Sequence, residues 1–302
     1  MAEKEWLSGM VVSGYGGFYQ VRCGDQVINC KPRGRLKKTF SKIYPGDAVQ
    51  ISLLSDGTGM MESIGERRTQ LKRPNIVNLD CIVIVLAWTL PDYDLLLLDR
   101  LLVMAELAHV RPIICFNKID LLPEEEKPLF DQICACYTQA GYPVLGVCAN
   151  TPASVLPLRE QLKGGLSVLA GPSGVGKSSL INVLLDGEHA EVGSVSQRLR
   201  RGKHTTRYAR ILPLGDEAED GFIADTPGFF TLELPEDFQL KSLPLCYPEY
   251  QALPPCRFDG CLHHKEPDCT VKAYVEQGKI DRGRYDRYLK LLDEIRNREV
   301  KY

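Results

Sequence analysis

The sequence predicts an α/β protein in three parts: an N-terminal β-barrel, a central domain built on a mostly parallel sheet, and a C-terminal helical part rich in cysteine and histidine. Three observations support this prediction. Short β-forming segments separated by turns occupy residues 8–67, apolar strands then alternate with helical segments, and cysteine and histidine cluster between residues 256 and 269. The predicted domain boundaries are 1–70, 71–232 and 233–302.

The composition is that of a folded globular chain, with 302 residues, 44% of them hydrophobic and 25% charged. The longest apolar stretch is about half the length that a membrane-spanning helix needs. The first residues carry acidic charge where an export signal would be basic and apolar. We therefore expect a cytoplasmic protein without membrane contact. We also expect a monomer. In that setting the 11 cysteines are expected to be thiols or metal ligands.

The barrel is predicted to be of the OB type, because five short strands fit into about sixty residues. Its region is basic: the first 75 residues hold 12 Lys or Arg against 7 Asp or Glu, although the whole chain has a net charge of −2. A basic loop, residues 31–42, joins the third and fourth strands. Aromatic side chains available for stacking on bases are Tyr15, Phe18, Tyr19 and Phe40. We expect RNA binding here, with a merely solvated loop as the alternative.

The central domain carries a phosphate-binding P-loop, Gly-Pro-Ser-Gly-Val-Gly-Lys-Ser, at residues 171–178. It lies between a predicted strand, Leu166–Ala170, and a predicted helix, Ser178–Leu185, which is the context that the motif requires. Backbone N–H groups of such a loop surround phosphates at a helix N-terminus. Lys177 is expected to reach the β- and γ-phosphates, and the Ser178 hydroxyl to bind Mg²⁺.

A second motif, Asn117-Lys118-Ile119-Asp120, follows a predicted strand at residues 112–116 and indicates guanine. The Asp120 carboxylate can accept two parallel hydrogen bonds from the guanine ring N–H and exocyclic amine, a donor pair that adenine lacks. Lys118 is expected to lie along the base plane and Asn117 to brace the loop. A pair at Cys148-Ala149 resembles the Ser-Ala pair that contacts the guanine carbonyl, although the match is imperfect.

Two further segments match the switch regions of GTPases. Asp225 ends an apolar strand and is followed closely by Gly228, as in the segment that senses Mg²⁺ and the γ-phosphate. One of Thr205 and Thr206 is expected to bind Mg²⁺, and the sequence leaves open which one. His204 is the candidate for orienting the attacking water once a partner orders its loop, with a solvated histidine as the alternative.

The predicted GTP-binding residues are therefore Asn117, Lys118, Asp120, Cys148, Ala149, Gly171, Pro172, Ser173, Gly174, Val175, Gly176, Lys177, Ser178, Ser179, Asp225 and Gly228. The predicted catalytic residues are His204, Lys177, Thr205 and Thr206. The candidate ligands of Mg²⁺, bound together with GTP, are Ser178, Thr205, Thr206 and Asp225.

The C-terminal part contains a candidate site for one structural Zn²⁺, formed by three thiols and one imidazole: Cys256, Cys261, His263 and Cys269. Such a set closes a tetrahedral site and leaves no position for water. His264 is a possible substitute for its neighbour His263. We expect little apolar core here, so that the metal supplies folding free energy. A second basic surface is predicted from Lys265, Lys272, Lys279, Arg282, Arg284 and Arg287.

The order of the motifs is unusual, because the base-recognition loop precedes the P-loop and the two switches. With the flanking barrel and the Cys/His cluster, the chain resembles the RsgA family of circularly permuted, small-ribosomal-subunit-dependent GTPases. The resemblance covers essentially the whole chain. It implies an OB-fold barrel, a permuted P-loop GTPase domain and a zinc-binding helical domain. It also favours His263 over His264 as metal ligand and His204 as the catalytic histidine.

The resemblance further implies that the protein binds the small ribosomal subunit and its rRNA, acts in late maturation of the subunit, and hydrolyses GTP to GDP when the subunit stimulates it. The main alternative is an rRNA-binding scaffold that binds GTP with little turnover. A metabolic P-loop enzyme acting on a small phosphorylated molecule is a weaker alternative.

Overall fold

The computed structural model describes residues 6–34, 36, 42–71, 75–186, 209–226, 234–235 and 238–299. The chain divides into two compact units. Unit one comprises Met1–Val83, Cys148–Gly171 and Gly176–Phe230, and unit two comprises Ile84–Val147, Pro172–Val175 and Thr231–Tyr302. Both units therefore contain segments of the predicted central domain. Among the helices of the described residues, none combines the length and the apolar character needed to cross a membrane.

The N-terminal barrel belongs to unit one; the sequence predicts a closed or partly open barrel, and the structure shows a closed one. Its strands are β1 (Trp6–Tyr15), β2 (Phe18–Cys23), β3 (Gln26–Pro32), β4 (Ala48–Leu53) and β5 (Gly59–Ile64). They follow the order β1-β2-β3-β5-β4, in which β3 and β5 are parallel and the other pairs are antiparallel. Alternate side chains point inward and form the apolar interior, including Val11, Val21, Ile28, Val49, Ile51 and Met61.

The strands that follow are β6 (Gln70–Leu71), β7 (Ile76–Val77), β8 (Cys81–Ala87), β9 (Arg111–Asn117), β10 (Val144–Gly146), β11 (Leu166–Ala170), β12 (Arg210–Pro213) and β13 (Phe222–Asp225). The α-helices are α1 (Leu95–Leu107), α2 (Lys127–Gln139), α3 (Leu156–Gln161), α4 (Lys177–Asp186), α5 (Pro248–Gln251), α6 (Thr270–Glu276) and α7 (Arg282–Glu299). The alternation of strands and helices agrees with the prediction. Strands β6, β7 and β12 and helices α5 and α6 are additions to it.

In unit one, β11 is parallel to β13, and β13 is antiparallel to β12. Strand β11, which leads into the P-loop, is buried along its whole length. Strand β8 is also buried at all seven positions, as expected for a strand covered on both faces, and the division between the units falls within it.

In unit two, β9 is parallel to β10, so the segments that follow both strands lie at the same edge. Helix α1 begins after Asp94, whose carboxylate accepts hydrogen bonds from the N–H groups of Leu96 and Leu97 at 2.9 and 3.0 Å. This N-cap satisfies two donors that the first helical turn leaves unpaired.

The C-terminal part of unit two has a larger apolar core than the sequence predicts. Buried residues from α5, α6 and α7 form one cluster with the cysteines of the metal candidate; its members include Tyr247, Tyr250, Cys261, Cys269, Val271, Tyr285, Tyr288, Leu291 and Leu292. The expectation of little apolar core is therefore wrong. The error arises because the polar segment around residue 260 is short, whereas the tyrosines that cover it come from elements on both sides in sequence.

Candidate nucleotide site and metal centre

The base-recognition loop begins at the carboxyl end of β9. Asn117 is its first residue and is only 1% exposed. The Asn117 side chain donates an Nδ2–H to the carbonyl oxygen of Val175 at 2.9 Å. Val175 belongs to the P-loop, so the predicted bracing role of Asn117 has a defined partner. The hydrogen bond lies entirely within unit two.

Lys118 makes a second connection between the same two loops. Its backbone adopts the left-handed conformation, with φ of 62°, and its ammonium group donates to the carbonyl oxygens of Leu90 at 2.6 Å and Gly174 at 2.7 Å. Asp120 follows in a 3-10 turn and is exposed. The loop therefore holds its lysine to the P-loop and leaves its carboxylate accessible to a base.

The remaining P-loop residues belong to unit one. The Lys177 ammonium donates to the carbonyl oxygen of Gly171 at 2.8 Å, and burial lowers the pKa of this side chain. Ser178 and Ser179 lie exposed in the first turn of α4. A phosphate group at this helix N-terminus would provide a negative charge that favours the protonated lysine.

Cys148 and Asp225 also lie in unit one. The backbone N–H of Cys148 donates to the Ser154 hydroxyl at 2.8 Å, which fixes the turn that includes Ala149. Asp225 ends β13 opposite Arg210 of β12. Burial raises the pKa of the Asp225 carboxyl, and the charge of Arg210 opposes this effect. A divalent cation at this position would favour the ionised carboxylate in the same way.

The structure thus places the predicted nucleotide residues in two groups. Unit two contains Asn117, Lys118, Asp120, Pro172, Ser173, Gly174 and Val175, and unit one contains Cys148, Ala149, Gly171, Gly176, Lys177, Ser178, Ser179 and Asp225. The candidate switch residues His204, Thr205, Thr206 and Gly228 lie outside the described residues, as does Phe40 of the barrel. Their roles stay predictions.

The metal candidate is assembled in unit two. The ligand atoms of Cys256, Cys261, His263 and Cys269 all lie within 4.8 Å of one another. The Cys256 and Cys269 sulfurs are 3.9 Å apart, and the His263 Nδ1 lies 3.6 and 3.4 Å from them. A tetrahedral zinc site with ordinary bond lengths has edges of about 3.8 Å between two sulfurs and about 3.6 Å between sulfur and nitrogen.

These donor atoms therefore fit one tetrahedral ion, and the cluster can hold a metal. His263, and not His264, faces the sulfurs; the Tyr285 hydroxyl donates to the His263 carbonyl oxygen at 2.7 Å and fixes the turn. Burial raises the pKa of the Cys261 thiol to about 12. A metal ion bound by the four side chains would offset the cost of ionising this thiol, because zinc is held by thiolates.

The predicted second basic surface needs a correction. Arg284 has a side chain only 2% exposed, and Arg287 is also largely buried. Both pair with Asp99 of α1, and Arg284 pairs in addition with Glu249. These two arginines therefore stabilise the interior and are not available to a partner, whereas Lys265, Lys279 and Arg282 are exposed.

Comparison with known proteins decides the family. The profile of the RsgA GTPase family matches residues 64–235, more than half of the chain, and that of the RsgA N-terminal domain matches residues 8–61. The chain belongs to the RsgA family. Its enzyme class is accordingly that of a GTP hydrolase.

RsgA relatives match over nearly their whole length. "Small ribosomal subunit biogenesis GTPase RsgA" of Clostridium botulinum strain Eklund 17B is 41% identical over 290 residues, covering 96% of this chain and 97% of the relative. The protein of the same name from Geobacillus sp. strain WCH70 is 41% identical over 297 residues, covering 97% and 99%.

Solved structures agree with the RsgA assignment and with the fold. YjeQ from Thermotoga maritima has a TM-score of 0.84 and 31% identity, covering 96% of this chain and 98% of that chain. YloQ, described as a circularly permuted GTPase, has a TM-score of 0.84 and 30% identity, covering 99% and 98%. The predicted fold class is confirmed: a circularly permuted GTPase domain with an N-terminal barrel and a C-terminal part whose Cys/His cluster can hold a metal.

Proposed function

We propose that this RsgA protein binds the small ribosomal subunit, acts in its late maturation, and hydrolyses GTP when the subunit stimulates it. The main support for GTP binding is a pair of hydrogen bonds between the base-recognition loop and the P-loop. Asn117 donates to the carbonyl of Val175, and Lys118 donates to the carbonyl of Gly174. Within unit two, these hydrogen bonds bring together two segments that are more than fifty residues apart in sequence. The relatives' names support the ribosomal part.

In this proposal, Asp120 accepts the guanine ring N–H and exocyclic amine, and Lys118 supports the face of the base. The carboxylate of Asp120 is exposed and therefore accessible to the base. A bound base would cover the Asp120 carboxylate, and a base without the donor pair would leave it unpaired, which discriminates strongly against that base. The proposed base contact of Cys148-Ala149 rests on the turn that Ser154 fixes.

The triphosphate is proposed to lie on the P-loop. Lys177 would compensate the charge of the β- and γ-phosphates, and Ser178, Asp225 and one of Thr205 and Thr206 would hold Mg²⁺, which neutralises developing charge on the transferred group. His204 is proposed to orient the attacking water. Removing such a group lowers a rate by about a hundredfold or more.

The flanking domains are proposed to bind rRNA. On the barrel, Tyr15 and Phe18 are 75% and 57% exposed, and the Lys31 ammonium lies 4.6 Å from the centre of the Phe18 ring. An exposed aromatic ring beside a cation suits stacking on a base next to a phosphate. In the C-terminal part, exposed Phe258 lies beside Arg257 in the same way.

The Cys/His cluster is proposed to hold one structural Zn²⁺, because three thiolates and an imidazole favour this ion. We also propose that the domains are 1–70, 71–232 and 233–302, and that the protein acts as a cytoplasmic monomer.

The test is GTP hydrolysis by the full chain, measured with and without purified small ribosomal subunits. We expect the subunits to raise the rate by about a hundredfold or more, because ordering of a water-positioning group supplies at least that factor. Lys177→Ala should abolish the stimulated rate. A negligible rate in both conditions, with GTP still bound, would identify a scaffold instead.

A further inference from the structure

Residues 88–93 connect β8 to α1 and form a fixed loop in unit two. Trp88 is 2% exposed, stacks on Tyr93 with ring centroids 4.1 Å apart, and donates its Nε1–H to Glu126. Its ring also contacts Phe116 of β9 edge-on at 6.3 Å. Because the stacked rings of Trp88 and Tyr93 fix both ends of the loop, the four residues between them have a defined position.

Leu90 lies in this loop and combines two unfavourable features. Its backbone is left-handed, with φ of 54°, a conformation that glycine or asparagine adopts at lower cost. Its side chain is 70% exposed. Strained residues that persist in a well-fixed segment are concentrated at functional sites. A role in ligand binding would account for both features.

The loop meets both predicted nucleotide loops. The Leu90 carbonyl oxygen accepts a hydrogen bond from the Lys118 ammonium at 2.6 Å, and the Gly174 carbonyl accepts another at 2.7 Å. A Cβ atom at Gly174 would lie 3.6 Å from Cδ of Pro91, so the Leu90-Pro91 segment also lies against the P-loop. The ammonium is thereby held from two sides, and the direction of its alkyl chain is restricted.

We propose that Leu90 is a positioning residue of the guanine site. Its carbonyl holds Lys118 so that the alkyl chain of the lysine forms a flat apolar support for the purine. Its exposed side chain adds apolar surface that the bound nucleoside covers. This inference rests on the proposed GTP-binding function and deepens it, because it assigns nucleoside affinity to a segment outside the known motifs.

Two substitutions separate the contribution of the Leu90 carbonyl from that of the Leu90 side chain. Leu90→Asn keeps the left-handed turn, which asparagine tolerates, and removes the apolar side chain. Leu90→Val keeps an apolar side chain, but β-branching disfavours the left-handed conformation and displaces the carbonyl from Lys118. Affinities for GDP and for inorganic pyrophosphate are measured by calorimetry on the full chain.

We expect Leu90→Asn to weaken GDP binding about fivefold, as the loss of part of a buried leucine surface predicts. Leu90→Val should weaken it about tenfold, because a charge-assisted hydrogen bond is lost. Pyrophosphate affinity should stay within about twofold of the parent in both variants, since this ligand has no nucleoside. A general loss of structure would weaken both ligands alike.

Leu129→Ala is the matched control, because Leu129 is a 44% exposed leucine on α2 of the same unit; its GDP affinity should not change. If both Leu90 variants bind GDP like the parent, or lose pyrophosphate equally, the inference is wrong. If Leu90→Val also lowers the thermal unfolding midpoint of the protein, the GDP affinity of Leu90→Asn alone tests the inference.

The parent's preference for GDP over ADP, measured in the same series, separates this inference from the proposed function. Equal affinity of the parent for the two nucleotides would overturn the guanine site itself. A clear preference for GDP with unaffected Leu90 variants would overturn only the role of Leu90.

Discussion

The C-terminal part and the barrel are each joined to segments of the central domain, but through different chemistry. In unit two, α7 is joined to α1 by buried charges. The fully buried Asp99 carboxylate accepts hydrogen bonds from Arg284 and Arg287, each at 2.6 Å, and Arg284 pairs with Glu249 at 2.5 Å. Tyr137 of α2 donates its hydroxyl to Asp99 at 2.7 Å.

In unit one, the barrel is joined to β7 and the residue after it mainly by backbone groups. The Val77 N–H donates to the Pro45 carbonyl at 3.1 Å, and the Asn78 side-chain amide donates to the Gly46 carbonyl at 2.9 Å. Gly46 has φ of 93°, and a Cβ atom there would lie 2.0 Å from the Val77 oxygen.

We call the connection of α7 to α1 the joint of unit two, and the connection of the barrel to β7 the joint of unit one. Because their chemistry differs, the two joints tolerate different substitutions. Breaking a buried ion pair leaves a charge in an apolar interior, so the joint of unit two depends on the presence of every charged partner. The joint of unit one contains a buried pair, Asp47 with Arg67 at 2.7 Å, and it depends in addition on the close approach of two backbone segments at Gly46. The following changes test this contrast, from the largest expected effect to the smallest.

Metal removal should have the largest effect, and only in unit two. Structural zinc contributes about 10 kcal/mol or more of apparent binding free energy in small sites. Chelation should therefore speed amide exchange in residues 256–271 by about a hundredfold or more, while β1–β3 keep their protection. Mass-spectrometric hydrogen exchange with and without chelator measures both. Unchanged protection in a protein shown to be metal-free would contradict the metal's structural role.

Asp99→Ala should cost about 3–5 kcal/mol of unfolding free energy, because it leaves Arg284 and Arg287 without their shared buried partner. Arg100→Ala, at the next position of α1, is the matched control. It removes the half-exposed pair of Arg100 with Glu294, whose value is expected to be about 1 kcal/mol. Urea unfolding measures both. Equal effects of the two substitutions would show that the buried network does not hold the joint.

Gly46→Ala should destabilise unit one by about 2–3 kcal/mol, because the methyl group adds overpacking against the Val77 oxygen to the strain of a left-handed alanine. Gly57→Ala is the control, since Gly57 has φ of 79° but no atom within 4 Å of its Cβ position. Its cost should be about 1 kcal/mol. If the two variants unfold at the same urea concentration, close backbone approach is not what the barrel joint requires.

Much of the fold could be predicted because the local signals agree with the global arrangement. Turns separate the barrel strands as expected, at Gly16-Gly17, Gly24-Asp25 and Asp56-Gly57, and β11 has its predicted bounds. The cysteine spacing predicted the metal cluster for the same reason, since the ligands are close in sequence.

The two joints and the Leu90 contact could not be predicted, because each depends on residues distant in sequence. In the sequence Arg284 resembles any surface arginine of a charged helix, but it is buried beside Asp99, more than 180 residues away, and Glu249. One partial signal was present: Asp99 and Arg100 interrupt an apolar helical run, and a charge in such a run is usually buried only with a partner. A backbone carbonyl such as that of Leu90 leaves no comparable signal.

The central claim is that Asp120 reads guanine next to the P-loop, and nucleotide preference tests it most directly. Asp120→Asn replaces an acceptor of two hydrogen bonds by an amide, which can instead donate to the additional carbonyl of xanthine. The account predicts that GTP affinity falls by about a hundredfold or more and that XTP becomes the preferred nucleotide. An Asp120→Asn protein that still binds GTP as tightly as the parent, and in preference to XTP, would contradict it.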